Sequence, residues 1–415
     1  MRDSVTIAVA GDWAPIRALE HVVRGAPAAV YGDLLPVLRG ADLRIVNCEC
    51  ALTAASRPVW KSGAVFKGRP EDVAGLTAAP FEVACLANNH VFDYGLRGFR
   101  ETLTVLRANG VRTVGAGLSL EEALKPLSLA VNGTRVTVLA FGEGEDLTAS
   151  RGGPGVCGWE VPRLAAAVRR AKRRGDFVIV AAHAGLEYIP VPPPYVVEAF
   201  RTLSDAGADV VVGHHPHVPQ GLERRKGRLI AYSLGNFVFW QPGGLYYRRT
   251  GFVLVLRARR GRLASFDLRP YRITEAGLRR LGGREENAFL KKLDRASAPL
   301  ASSKGVAEAW QSYLAYYGPS GFKNEVAGIL EKMEADPRKG AAMFRNRLTT
   351  LQHAELWRDV LSRSVAERPA PARQAWTRLI REWMTRPLGP SGACPPQASP
   401  KRRPAASTMA PMSRR

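Results

Sequence analysis

Hydrophobic residues along this chain form two alternating patterns, short apolar runs that end in polar residues and longer segments with helical spacing. A typical run is Asp209-Val-Val-Val-Gly-His-His-Pro-His217, in which three consecutive aliphatic residues predict a buried strand. Such runs end near residues 12, 49, 90, 117, 142, 183, 217 and 239, and helical patterns cover residues 97–108, 162–174 and 195–205. The alternation predicts an α/β unit over residues 1–275. Periodicity alone leaves open whether its strands form one doubly wound sheet or two packed sheets.

The strand pattern stops near residue 275, and amphipathic helical segments follow. They cover residues 286–295, 306–316, 324–334, 341–351, 353–363 and 373–384. Large apolar residues in them, such as Trp310 and Trp357, recur at helical spacing and therefore read first as core. We expect a helical annex over residues 276–385. It is either a packed accessory subdomain, a cover over a catalytic mouth or a surface for a partner.

Residues 386–415 are rich in Pro, Ser, Ala and Arg and have no apolar periodicity. Such a segment buries too little apolar surface to offset its ordering entropy, so we expect a disordered basic tail. The formal net charge of +23 over 415 residues favours attraction to polyanions. Its basic clusters are scattered, however, and the sequence contains no recognised nucleic-acid module, so no specific nucleic acid is expected as a partner.

The first strand begins by about Val5, which leaves no room for a signal peptide. No apolar run reaches the roughly 18 residues of a membrane-spanning helix. Five cysteines at irregular spacing give no disulfide framework. We therefore expect a cytoplasmic protein with reduced cysteines and no transmembrane segment.

Candidate chemistry lies in the polar residues that end the strands. The chain has only seven histidines, and five of them follow apolar runs, namely His90, His183, His214, His215 and His217. A lone histidine after a strand is more often a packed residue than a ligand, but here three separate strand ends carry one. Because open α/β sheets bind ligands at the carboxyl ends of their strands, the convergence predicts a metal site.

Oxygen donors end two earlier strands and accompany one of the histidines. They are Asp12 after the first strand, Glu49 after the second and Asn89 beside His90. Side chains alternate across a strand, so Asn47 and Glu49 share a face while the neighbouring cysteines point towards packing. Asp12 taken alone could instead cap the following turn. Together with the imidazoles, these oxygens form a mixed set of ligands that suits Mn, Fe, Zn or Co.

The order of these motifs resembles the CapA family, the poly-gamma-glutamate capsule synthesis proteins, which looks like a branch of the calcineurin-like metallophosphoesterases. The resemblance covers roughly the first 270 residues and implies a sandwich of two mixed β-sheets flanked by helices. It rests on the following segments: Gly11-Asp12, Asn47-Cys-Glu49, Leu86-Ala-Asn-Asn-His90-Val-Phe-Asp93-Tyr-Gly95, His183-Ala-Gly-Leu-Glu187-Tyr, Gly213-His-His-Pro-His217 and Tyr232-Ser-Leu-Gly-Asn236-Phe.

The resemblance implies a centre of two divalent metal ions. By motif, Asp12 and His217 would hold the first metal, Glu49 would bridge, and the second metal would be held by Asn89, His183 and His215. Two departures from the superfamily pattern bear on the first metal. The usual Asp-x-His reads Asp12-Trp-Ala14 here, which removes one imidazole, and the bridging carboxylate comes from Asn-x-Glu rather than from a Gly-Asp motif.

Two metal ions about 4 Å apart would support hydrolysis of a phosphoester. The resemblance implies that His90 protonates the leaving group or stabilises the transition state, and Asp93 would orient it. Asp93 could equally be a turn former ahead of Tyr94-Gly95. The expected partners are an anionic substrate, either a phosphoester or a polyglutamate-like polymer, and other capsule-synthesis proteins. A non-catalytic, metal-containing component of polymer synthesis or export is the alternative.

Five further residues are candidate substrate contacts, and each has a less specific interpretation. Lys67 and Arg69 would receive a carboxylate or phosphate, although a solvated basic loop explains them more simply. Glu187 and Asn236 match the family segments, yet nothing in their chemistry separates substrate contact from loop packing. The complete set is Asn47, Lys67, Arg69, Glu187 and Asn236.

Overall fold

The computed structural model describes residues 4–143, 147–149 and 152–389. Its strands are β1 Ser4–Ala14, β2 Leu43–Cys48, β3 Ala51–Leu52, β4 Lys67–Gly68, β5 Val83–Cys85, β6 Arg112–Val114, β7 Ala116–Gly117, β8 Leu127–Val131, β9 Thr134–Gly142, β10 Gly155–Val156, β11 Phe177–His183, β12 Val210–His214, β13 Leu222–Arg225, β14 Arg228–Ala231, β15 Asn236–Phe239, β16 Thr250–Arg259, β17 Arg262–Thr274 and β18 Gly277–Arg280. Its α-helices are α1 Ala18–Gly25, α2 Leu35–Arg39, α3 Val73–Ala78, α4 Gly95–Ala108, α5 Leu120–Leu124, α6 Val161–Arg173, α7 Pro194–Asp205, α8 Gly283–Ser297, α9 Ser303–Ala335, α10 Pro337–Thr349, α11 Leu351–Val365 and α12 Gln374–Thr385.

Two mixed sheets form the body of the molecule. The larger has the order β18-β17-β16-β1-β2-β5-β6, with β15 also paired to β1. Its strands β1, β2, β5 and β6 are parallel, and β16, β17 and β18 complete it in antiparallel pairing. The second sheet has the order β13-β14-β12-β11-β9-β8, with a parallel centre and antiparallel edges.

The side chains of β11 show how the two sheets pack. Phe177, Ile179 and Ala181 belong to the core shared with the larger sheet, whereas the alternate residues Val178 and Val180 pack with α6 and α7. This period of two buries both faces of the strand, which is why it reads as an unbroken apolar run. The predicted architecture, a sandwich of two mixed sheets flanked by helices, is confirmed.

The strands extend slightly further than the sequence pattern indicated. Strand β18 lies beyond residue 275, and the helices of the C-terminal region begin after it with α8. The segments predicted at residues 306–316 and 324–334 form the single element α9, which has a non-helical residue at Gly318 (φ 59°). Because glycine has no side chain, Gly318 can adopt this conformation, and the chain kinks between the two predicted segments.

Helices α9, α11 and α12 pack onto loops that leave the second sheet. Trp310, Trp357 and Trp383 form one apolar cluster with Leu186 and Val218, which follow β11 and β12. The Trp383 indole donates to the carbonyl of Pro219 at 3.0 Å. The helical region is therefore joined to the strand ends where the predicted ligands lie.

The predicted tail begins inside the described structure. Leu388 donates its backbone N–H to Gly244 at 2.7 Å, and the carbonyl of Arg386 accepts from Tyr246 at 2.9 Å. Residues 390–415, the rest of the predicted disordered tail, lie outside the described residues. No helix in the part of the chain that the structure describes combines the length and apolar character needed to cross a membrane.

Candidate metal centre

The carboxyl ends of parallel strands from the two sheets meet at one edge of the sandwich. In the larger sheet Asp12 of β1 is in register with Asn47 of β2, and in the second sheet His183 of β11 is in register with His214 of β12. All six predicted metal ligands lie at this edge with at most 6% of their surface exposed: Asp12, Glu49, Asn89, His183, His215 and His217.

The turn after β12 brings two histidines back into the cluster. His215 and His217 both have positive φ, 91° and 56°. A positive φ at a residue other than glycine costs on the order of 1–3 kcal/mol and is typical of functional sites. Gly213 allows the turn to approach its neighbour, since a Cβ there would lie 1.9 Å from the carbonyl oxygen of Tyr232.

Nε2 of His183 is surrounded by donor atoms from three other strand ends. It lies 3.0 Å from Oδ1 of Asn89, 3.0 Å from Nδ1 of His215 and 3.4 Å from Oε1 of Glu49. Two ligand atoms about 2.1 Å from one metal ion and at right angles to each other are about 3.0 Å apart. The three distances from His183 Nε2 are thus close to those between ligands that share a metal ion.

A second group of donors adjoins the first through Glu49. Nε2 of His217 lies 3.6 Å from Oε1 of Glu49, and Nδ1 of His217 lies 3.5 Å from Oδ2 of Asp12. Nδ1 of His214 approaches the other oxygen of Asp12 at 3.2 Å. Ala14, at the position where the resemblance implies an imidazole, is buried and pairs with Phe239 of β15. This second group consequently has fewer nitrogen donors.

The residues fit a divalent metal because Glu49 is otherwise unsatisfied. Both its carboxylate oxygens are buried and have no hydrogen-bond partner among the described residues. Burial raises the pKa of Glu49 well above its ordinary value despite the nearby His217. An ionised buried carboxylate without donors is costly unless a cation accompanies it. Ligand atoms lie within 4.8 Å of one another in two sets, Glu49 with His215 and His217, and Asp12 with Glu49 and His183.

The imidazoles differ in protonation according to their neighbours. Burial, together with the other imidazoles, lowers the pKa of His183 well below its ordinary value, and burial also lowers that of His215. Burial would lower the pKa of His217 too, but the carboxylates of Glu49 and Asp12 raise it to about 10. An imidazole binds a metal only in its neutral form, so a metal ion would displace that proton from His217. The two carboxylates that stabilise the proton would then stabilise the metal cation.

Asp12 remains ionised within this cluster. Burial would raise the pKa of Asp12, but hydrogen bonding to His214 and His217 and their charge hold it well below its ordinary value. Asn47 also donates to Asp12 Oδ1 at 2.8 Å. The carboxylate is thus available as an anionic ligand.

Next to the cluster, a buried network surrounds His90. Its Nδ1 lies 2.7 Å from Oδ2 of Asp93, while Nζ of Lys61 contacts Oδ1 of Asp93 at 3.1 Å. The backbone N–H of Phe66 donates to Oδ2 of Asp93, and the Phe66 ring stacks on His90 with centroids 3.8 Å apart. Asp93 therefore contacts His90 directly in addition to ending a turn.

The five candidate substrate contacts do not all lie at the cluster. Asn47 lies inside the cluster, where its amide contacts Asp12 and His183, and Asn236 accepts from His217 Nδ1 at 2.8 Å. Lys67 donates to the carbonyl of Ala55 and lies over the Tyr94 ring, and Arg69 is a surface residue near Glu71. Neither basic side chain is brought to the cluster. Lys61, in contrast, is buried beside the cluster and donates to the carbonyl of Asn89 at 2.6 Å.

Glu187 faces a cavity of about 280 Å³ that extends from His215 to the helical region. The surrounding protein would raise the pKa of Glu187, but His217 and His215 hold it below its ordinary value. The opposite wall consists of residues from α9, α10 and α11, among them Tyr313, Arg347 and His353. The helical region therefore contributes surface beside the predicted ligands.

The structure also brings in a residue that sequence reasoning did not single out. Gln352 of α11 places its Oε1 3.0 Å from Nε2 of His215, and both side chains are buried. Nothing local distinguishes this glutamine from others on amphipathic helices. Only the packing of α11 against the strand ends reveals it.

The part of the chain that contains the cluster is similar to known proteins. The model of the family described as "Bacterial capsule synthesis protein PGA_cap" matches residues 6–241. The PGA biosynthesis protein CapA of Bacillus subtilis (strain 168) is 32% identical over 279 residues, which cover 66% of this chain and 73% of that protein. The capsule biosynthesis protein CapA of Bacillus anthracis is 31% identical over 249 residues, covering 58% of this chain and 61% of that protein.

A third relative matches a similar share of the chain. It is a probable polyglutamine synthesis accessory protein of Mycobacterium tuberculosis, 29% identical over 308 residues that cover 68% of this chain and 81% of that protein. All six predicted metal ligands, with His90 and Asp93, fall within residues 6–241. Gln352 and helices α8 to α12 lie beyond that match.

Proposed function

We propose that this chain, which belongs to the CapA family of bacterial capsule synthesis proteins within the metallophosphoesterase-like superfamily, is a metal-dependent phosphoesterase. Its substrate would be an anionic phosphoester formed or consumed during synthesis of a polyglutamate or related capsule polymer. The printed names of the relatives support that context, since they refer to PGA, capsule and polyglutamine synthesis.

One observation carries the proposal. Glu49 has two buried oxygens without donors among the described residues, and it lies between His183 and His217, at 3.4 and 3.6 Å. A carboxylate in that position can bridge two cations. The proposed ligands are Asn89, His183 and His215 on one side, and Asp12 and His217 on the other.

Two bound divalent cations, with Mn, Fe, Zn or Co as candidates, would activate water and neutralise charge on the phosphoryl oxygens. The chain's own residues supply the remaining functions. Asp93 holds Nδ1 of His90, so the other ring nitrogen, Nε2, is the one that would deliver a proton to the leaving oxygen. Lys61 keeps the Asp93 carboxylate in place.

The cavity beside His215 and Glu187 is the proposed entrance for the substrate. Arg347 lies in its wall, where it pairs with Glu325 at 2.6 Å. Buried walls around this cavity would strengthen electrostatic interactions with a bound anion.

The test is turnover by the purified full chain. The protein is stripped with a chelator, reloaded with Mn²⁺ or Zn²⁺, and assayed with one chromogenic phosphomonoester and one phosphodiester. Metal-dependent hydrolysis that disappears in the stripped protein is the expected result. Stoichiometric metal without hydrolysis of either class would contradict the proposed activity.

A second candidate is a non-catalytic, metal-containing component of polymer synthesis or export. The observation that favours it is Ala14, which leaves the group around Asp12 and His217 with one imidazole fewer than the superfamily pattern. Full metal content without turnover would support this candidate. Its role would then be sought in binding to an anionic polymer or to other capsule-synthesis proteins.

A further inference from the structure

We infer that Gln352, contributed by helix α11 of the C-terminal region, is a positioning residue of the proposed metal centre. Its amide oxygen fixes the tautomer of His215, so that Nδ1 of this ring faces the other ligands with a free lone pair. The inference rests on the proposed function for the metal itself.

The two ring nitrogens of His215 have different neighbours. Nε2 lies 3.0 Å from Oε1 of Gln352, and Nδ1 lies 3.0 Å from Nε2 of His183. An amide oxygen only accepts hydrogen bonds, so this contact stabilises the tautomer of His215 in which Nε2 carries the proton. A neutral imidazole has a single N–H, and Nδ1 is therefore the nitrogen left to bind a metal.

Gln352 is itself held in place by the second sheet. Its backbone N–H donates to Oε2 of Glu143 at 3.2 Å, and the other oxygen of Glu143 accepts from the backbone N–H of Gly185 at 3.0 Å and from the hydroxyl of Tyr195. Gly185 lies two residues after His183. Glu143 thus ties the start of α11 to the loop that follows one of the proposed ligands.

Through Gln352, the helical region contacts one of the proposed metal ligands. His215 has an unusual backbone conformation, with φ 91°, and Gln352 contacts its Nε2 while its Nδ1 faces His183. Partners that orient a metal-binding histidine typically change metal affinity 10- to 100-fold when they are removed. We therefore expect α11 to affect metal binding through one side chain.

The experiment compares three substitutions in the full chain. Gln352→Leu keeps a similar volume without an acceptor, and Gln352→Glu keeps an oxygen acceptor. Gln374→Leu is the matched control, because Gln374 is an exposed residue at the start of α12. Zn²⁺ affinity is measured by competition with a chromogenic chelator, and the melting temperature of the metal-free protein is recorded for each variant.

The expected result is a 10- to 100-fold loss of Zn²⁺ affinity in Gln352→Leu, with wild-type affinity in Gln352→Glu and Gln374→Leu. Rescue by glutamate separates positioning from packing. Equal Zn²⁺ affinity in the leucine and glutamate variants would overturn the inference. It would also be overturned if both variants lost the same Zn²⁺ affinity and the same melting temperature, because the change would then be one of packing.

A second readout does not need a metal. Nitrogen-15 spectra of the metal-free protein with labelled histidines, assigned with His215→Ala, report which ring nitrogen is protonated. Nε2–H in the wild type and a mixture of tautomers in Gln352→Leu are expected, whereas Nδ1–H in the wild type would overturn the inference. If the wild type binds no metal, the proposed function fails, and the spectra still decide the role of Gln352.

Discussion

Nδ1 of His90 lies 2.7 Å from Oδ2 of Asp93, within a network that buries both side chains. Lys61 contacts the second oxygen of the same carboxylate, and Phe66 stacks on the imidazole. Histidine and aspartate are three residues apart, on the turn that follows the metal-binding candidate Asn89. The pair therefore joins the proposed proton donor to the proposed metal site, and it carries the first two predictions.

His90→Ala is expected to lower kcat on a phosphoester by about 10²- to 10⁴-fold, the usual range for a general acid or base. Metal content should stay at the wild-type level, because the six proposed ligands remain. Elemental analysis and steady-state kinetics on the same preparation check both parts. His21→Ala, an exposed histidine on α1, is the control, and an active His90→Ala would refute the role.

Asp93→Ala is expected to destabilise the metal-free protein by about 3–5 kcal/mol, because it removes the carboxylate partner of a buried lysine. Asp205→Ala removes a carboxylate that pairs with Arg225 and Lys226 at the surface, and it should cost at most about 1 kcal/mol. Urea unfolding of both variants measures the difference. Similar midpoints for the two variants would mean that the buried pair contributes little to stability.

His215→Ala combined with His217→Ala is expected to abolish stoichiometric metal binding. These residues supply one imidazole to each proposed metal position, and Nε2 of His217 lies 3.6 Å from Oε1 of the proposed bridging residue Glu49. The measurement is metal per chain after equilibration with Zn²⁺ or Mn²⁺ and removal of free ions. Unchanged stoichiometry in the double variant would place the metal elsewhere.

Truncation after Gly389 is expected to leave the melting temperature and metal content unchanged. Truncation after Met384 should lower the melting temperature, because it removes backbone hydrogen bonds between residues 386–388 and 244–246, each worth about 0.5–1.5 kcal/mol. Thermal unfolding of both shortened chains beside the full chain makes the comparison. Identical melting temperatures for the two truncations would show that these bonds add nothing.

Much of the site could be predicted from local sequence. Apolar runs that end in Asp12, Glu49, Asn89, His183 and His215 mark strand ends, and parallel strands bring their carboxyl ends to one edge. The family segments supplied the pairing of these residues into two groups. The choice between one sheet and two also came from the resemblance, since periodicity describes a strand's buried faces and not the sheet to which it belongs.

The tertiary structure decided the contacts between residues that are distant in the chain. Lys61, Lys67 and Arg69 occupy one polar stretch, yet only Lys61 is carried to Asp93, because the loop's path depends on packing rather than on composition. Gln352 follows the same rule: its hydrogen bond to His215 spans 137 positions and exists only because α11 packs over the strand ends. The sequence by itself determined which strands end in the proposed metal ligands, since hydrophobic burial acts residue by residue. Only the packing of helices on sheets decided which side chains surround them.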